Sequence, residues 1–107
     1  MDPEQIKKEV ISILESDINF EGHFDIVVSN MNDNLVRSMI EWIKSCKSGT
    51  EPISTSKKFR NLIVFFFKPN DTRFRAILTK EKNAYFITLF LDKHKYYDRE
   101  RRRLGFD

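Results

Sequence analysis

The stretch Leu62–Leu91, LIVFFFKPNDTRFRAILTKEKNAYFITLFL, decides the fold. It holds three strand-like runs, Leu62–Phe67, Thr72–Thr79 and Tyr85–Leu91, joined by the short polar connections KPND and KEKN. Connections of hairpin length between β-rich runs predict an antiparallel meander of three strands. The first run is apolar throughout, which predicts a strand buried on both faces. The second alternates: Phe74, Ala76 and Leu78 fall on one face, and Arg73, Arg75 and Ile77 on the other.

Upstream of the meander, Asp2 followed by Pro3 is a helix start, a side-chain cap ahead of a proline in the first turn. Ile6, Val10, Ile13 and Leu14 share a face at helical spacing, and the helix is expected to stop near Asp17. The segment Phe24–Ser29, FDIVVS, is short, apolar and β-branched and reads as a strand. Asn32 or Asp33 can cap a second helix with Leu35, Val36, Met39, Ile40 and Ile43 on its buried stripe and Trp42 at the edge, ending by Gly49. Residues 47–58 form a polar loop. The expected order is helix, strand, helix, meander. That is an α+β fold, a small antiparallel sheet with the N-terminal helices on one face and an open concave surface on the other. The chain reads as one domain over 1–107, with an extra N-terminal helix in 1–20 and a basic C-terminal tail in 98–107, helical or extended.

A chain of 107 residues, 40% of them hydrophobic and ten of them Phe, can fill a modest core without disulfide or metal staples. No apolar stretch approaches the roughly 20 residues that span a bilayer, and the acidic start MDPEQ lacks the basic region of a signal peptide. Cys46 has no second cysteine to pair with, which fits a reducing compartment. The expectation is a cytoplasmic protein without membrane contact. The net charge of +3 is unevenly placed: residues 1–56 carry 5 Lys/Arg and 10 Asp/Glu, and residues 57–107 carry 14 and 6. Such a basic half suits a polyanion, most often nucleic acid.

Within that half, Phe90–Tyr97 reads FLDKHKYY, two lysines, a histidine and two tyrosines at the end of an apolar strand. Beside Arg73 and Arg75 on a neighbouring strand, these groups would gather around a phosphate. Two histidines and one cysteine are too few for a zinc site of Cys and His ligands. Three glycines, Gly22, Gly49 and Gly105, make no phosphate-cradling loop. No metal or cofactor is called for.

The order strand, helix, meander with a basic tail, the segment Thr72–Leu78 (TRFRAIL) and the segment Phe90–Tyr97 together resemble the RelE/ParE toxin superfamily of bacterial toxin–antitoxin systems. The resemblance covers about residues 24–98. Two departures stand out: some twenty residues precede the first expected strand, and the basic pair is spread as Lys-His-Lys after Asp92. The resemblance implies an endoribonuclease that cleaves mRNA, free or on the ribosome, and that a cognate antitoxin neutralises. Arg75 matches the family arginine, Lys93 and Lys95 the basic pair, and His94 and Tyr97 resemble the histidine and tyrosine of some members.

Metal-free RNA cleavage needs a base, an acid and cations where charge builds on the phosphate oxygens. Arginine suits the last task through its rigid fork, so Arg75 is assigned to it with Arg73 assisting. His94 is suited to shuttle protons near neutral pH, and Lys93 or Lys95 would do so with a lowered pKa. Tyr96 and Tyr97 offer stacking surfaces for exposed bases or serve as packing residues. Arg60, Arg101, Arg102 and Arg103 are expected contacts to the polyanion, and the tail arginines equally to an antitoxin. Two alternatives stand beside the nuclease: a ParE-like inhibitor of DNA gyrase without nuclease activity, and a non-catalytic basic module that binds RNA or DNA.

Overall fold

The computed structural model describes residues 2–71 and 73–106; Met1, Asp107 and Thr72, the expected first residue of the second meander strand, lie outside the described residues. The elements run α1 (Pro3–Leu14), β1 (Asp17–Phe20), α2 (Phe24–Ser29), α3 (Asp33–Ser48), β2 (Ser54–Thr55), β3 (Leu62–Phe67), β4 (Phe74–Glu81), β5 (Ala84–Leu91) and α4 (His94–Arg103).

The expected antiparallel meander is present. β3, β4 and β5 pair antiparallel, with Phe65 opposite Leu78 and Leu78 opposite Ile87. Lys82, at φ 55, turns β4 into β5. The sheet order is β1-β5-β4-β3-β2. β1 lies parallel to β5, Ile18 beside Tyr85, so the five-stranded sheet is mixed rather than purely antiparallel.

Both long N-terminal helices start and stop where their capping residues dictate. The Asp2 carboxylate accepts from the Glu4 amide at 3.1 Å, and the Asn32 side chain from the Leu35 amide at 2.8 Å. Gly49 closes α3 in the left-handed region, φ 83, which a residue without a Cβ adopts freely. α1 stops at Glu15, earlier than expected, and Lys47 of α3 donates its ammonium to the Leu14 carbonyl at the end of α1, 3.1 Å away. Ile6, Val10 and Leu14 of α1 join Val36, Met39 and Ile43 of α3 in the main core. The N-terminal helix is therefore part of the core and not an appendage to it. Trp42 is buried against Phe67, ring centroids 5.1 Å apart.

Phe24–Ser29 is a helix, which corrects the strand reading. Phe24, Val27 and Val28 are buried while Asp25 and Ile26 are exposed, a spacing of three and four rather than two. The first strand is instead Asp17–Phe20. Its alternating burial was masked by Asp and Asn, residues depleted in strands.

The two sheet faces bury different partners. Phe65, Phe74, Ala76, Leu78, Ile87 and Leu89 meet α1, α2 and α3. Leu62, Val64, Ile77 and Phe90, on the other face, pack with Tyr97 and Leu104 of the C-terminal segment, and Phe66 and Phe106 lie against them. β3 is thus covered on both sides, as its unbroken apolar run requires. α4 lies across the face expected to be open and covers part of it.

A candidate nucleic-acid groove beside the C-terminal helix

What α4 leaves uncovered is a groove of about 1270 Å³. Its floor is the outward row of β5, Phe86, Thr88 and Phe90, with Ile77 and Thr79 of β4 beside it. These positions follow from strand alternation: Tyr85, Ile87 and Leu89 turn to the helices, so their neighbours turn to the groove. One wall is α4. Tyr96, Arg99 and Arg103, spaced by three and four, line the groove, while Tyr97 and Leu104 face the sheet. A second wall, the lip, is the loop Lys58-Phe59-Arg60-Asn61 ahead of β3, and Glu21, His23 and Ile26 line the groove as well.

Several of the large hydrophobic side chains exposed on this protein gather here: Ile26, Phe59 at 39% exposure, Phe86 at 44% and Tyr96 at 51%. Cations accompany the rings. The Tyr96 ring carries Lys93 and Arg99, 5.7 and 5.2 Å from its centroid, and Lys58 lies 5.6 Å from that of Phe59. Among the described residues lining the groove, five are Lys or Arg (58, 60, 93, 99 and 103) and three are Glu (21, 81 and 100). Glu100 accepts hydrogen bonds from the Arg103 guanidinium, which holds that cation against the helix. α4 begins without a side-chain cap and without an acidic residue in its first turn, next to Lys93, His94 and Lys95.

The structure separates residues that the sequence suggested would converge. FLDKHKYY is not one strand end: Phe90 and Leu91 finish β5, Asp92 turns the chain at φ 54, and His94–Tyr97 open α4. Of Arg75, Lys93, His94, Lys95 and Tyr97, Lys93 alone lines the groove. Arg75, half-buried on β4, and Tyr97, buried on the sheet side of α4, lie outside it. The Arg75 guanidinium donates to the Phe74 carbonyl at 2.7 Å. Burial holds the Tyr97 phenol above its ordinary pKa, partly countered by the charges of Arg101 and Arg75. The Arg101 guanidinium sits 5.6 Å from the Phe66 ring centroid. His94, Lys95 and Arg102 are exposed outside the groove. Arg73 turns back to Asp71, 3.0 Å away.

Of the expected polyanion contacts, Arg60, Tyr96 and Arg103 line the groove. Lys58, Phe59, Phe86, Thr88 and Arg99 belong to the site and were not singled out from sequence. The alternation in AYFITLFL places Phe86 and Thr88 together, and the basic-aromatic run KKFR marks the lip. Arg99 becomes visible only once the tail is read as a helix three residues on from Tyr96. No family model, curated protein or solved structure matches the chain. Among the described residues no helix is long and apolar enough to cross a membrane.

Proposed function

We propose that the groove binds single-stranded RNA. The observation that carries this reading is the meeting of three half-exposed rings, Phe59, Phe86 and Tyr96, with an excess of cations in one open depression. Unpaired bases stack on exposed aromatic faces while lysine and arginine follow the phosphates. A duplex hides its base faces and gains nothing from such rings. Thr88 on the floor and Asn61 on the lip supply hydrogen-bonding groups for base edges. The test is fluorescence anisotropy with a labelled single-stranded RNA of about ten nucleotides and a hairpin duplex as competitor. Binding should weaken steeply with salt, and the duplex should compete poorly. Equal competition by the duplex would remove the stacking component.

A second reading adds cleavage of the bound strand, as in a toxin of the RelE/ParE kind held in check by a cognate antitoxin in the cytoplasm, with mRNA, free or on the ribosome, as its target. Its support is the half-buried Arg75 on β4, a cation suited to phosphate charge, together with Lys93 on the groove wall. Primer-extension mapping of mRNA after induction tests it. Discrete cuts that vanish in Arg75→Ala are the expected result, and intact messages with the wild-type chain contradict it.

A further inference from the structure

The two walls of the groove are tied together at one end by Ser56 and Gly105. The Ser56 hydroxyl donates to the Leu104 carbonyl at the end of α4 and accepts from the amides of Lys58 and Phe59, each at 3.0 Å. It is thus bonded at once to the α4 wall and to the first residues of the lip. Gly105 makes the approach possible. It sits at φ 95, and a Cβ there would lie 2.8 Å from the Ser56 hydroxyl oxygen and 3.1 Å from the Lys58 amide nitrogen. The chain reverses through a Schellman turn, with the Gly105 amide donating to the Arg102 carbonyl and the Phe106 amide to the Arg101 carbonyl at 3.0 and 2.8 Å. Phe106 then anchors edge-on to Phe66 of β3, ring centroids 5.2 Å apart.

We propose that Ser56 and Gly105 are positioning residues: together they latch the lip Lys58–Asn61 to the end of α4 and set the width of the groove. The inference deepens the RNA-binding reading and rests on it for its functional consequence. Neither Ser56 nor Gly105 lines the groove, so any effect on binding passes through the residues they hold. Without the hydroxyl, the Lys58 and Phe59 amides lose their shared acceptor and the lip is free to move away from Tyr96 and Arg99. A site whose walls must be ordered on binding loses affinity relative to one already in place.

The experiment combines a distance and an affinity. Nitroxide labels at Arg60→Cys and Lys95→Cys, one on the lip and one on α4, report the separation of the walls by pulsed electron resonance. Unlabelled Ser56→Ala, Ser56→Thr and Gly105→Ala report affinity for the single-stranded RNA. The wild-type chain should give one narrow distance distribution. Ser56→Ala should broaden it and weaken RNA binding on the order of tenfold, and Ser56→Thr, which keeps the hydroxyl, should restore both. Gly105→Ala should act in the same direction, and if it fails to fold the serine pair still decides. An unchanged distribution in Ser56→Ala overturns the latch. A broadened distribution in a protein whose wild type binds no RNA keeps the latch and removes the RNA reading.

Discussion

Tyr96 and Tyr97 follow one another on α4 and occupy opposite environments: the Tyr96 ring stands half exposed between Lys93 and Arg99, whereas Tyr97 is buried edge-on to Phe90 at 5.5 Å. One helical step of about 100° separates the groove wall from the core. The Tyr97 hydroxyl is buried with no hydrogen-bond partner among the described residues, a state that costs about 1–3 kcal/mol. Tyr97→Phe should therefore leave urea-unfolding stability unchanged or raise it by about 1 kcal/mol, while Tyr97→Ala should cost about 3–5 kcal/mol by emptying the site. A clear loss of stability in Tyr97→Phe would show that the hydroxyl is bonded.

Asp71 carries a pH prediction. Its carboxylate accepts from the Arg73 side chain at 3.0 and 3.2 Å and from the Arg73 amide at 3.1 Å, which holds its pKa below the ordinary aspartate value. A depressed folded-state pKa stabilises the fold above the unfolded value, and that contribution disappears as pH falls through the folded one. The loss belongs to the acid range below about pH 4. Carboxyl NMR titration should find Asp71 titrating low in the wild type and shifted upward in Arg73→Ala. Coincident curves would remove the pair.

Cys46 should be chemically silent in the folded protein. Burial within α3 pushes its thiol far above the ordinary range, and the nearby charge of Glu51 acts in the same direction. The thiolate is the reactive form, so a disulfide reagent at pH 8 should modify Cys46 only at the rate of unfolding and at full stoichiometry in denaturant. Rapid labelling of the native chain would contradict the burial of Cys46 on α3.

The meander and α3 were legible because each is long enough to repeat its period. LIVFFF shows no polar face, and residues 35–43 hold a stripe of three and four. FDIVVS misled because six residues give helix and strand nearly equal apolar patterns, and β-branched composition then tips the reading. Packing of Phe24, Val27 and Val28 into the main core overrode that preference. β1 was invisible for the converse reason, since its partner is β5, some 67 residues later, and only that parallel pairing makes a strand of Asp-Ile-Asn-Phe. The site was half legible. Basic and aromatic residues marked the right half of the chain, but the break at Asp92 decides which of them share a face, and a left-handed aspartate leaves little trace in the sequence.

Under the proposed function, the exposed rings of the groove stack on unpaired bases. The most direct measurement is the affinity for single-stranded RNA of Tyr96→Ala, Tyr96→Phe and Phe86→Ala at constant salt. Stacking is worth about 1–3 kcal/mol per base, so each alanine variant should bind about 5- to 160-fold more weakly, with Tyr96→Phe close to wild type. Wild-type affinity in both alanine variants would contradict base stacking in the groove.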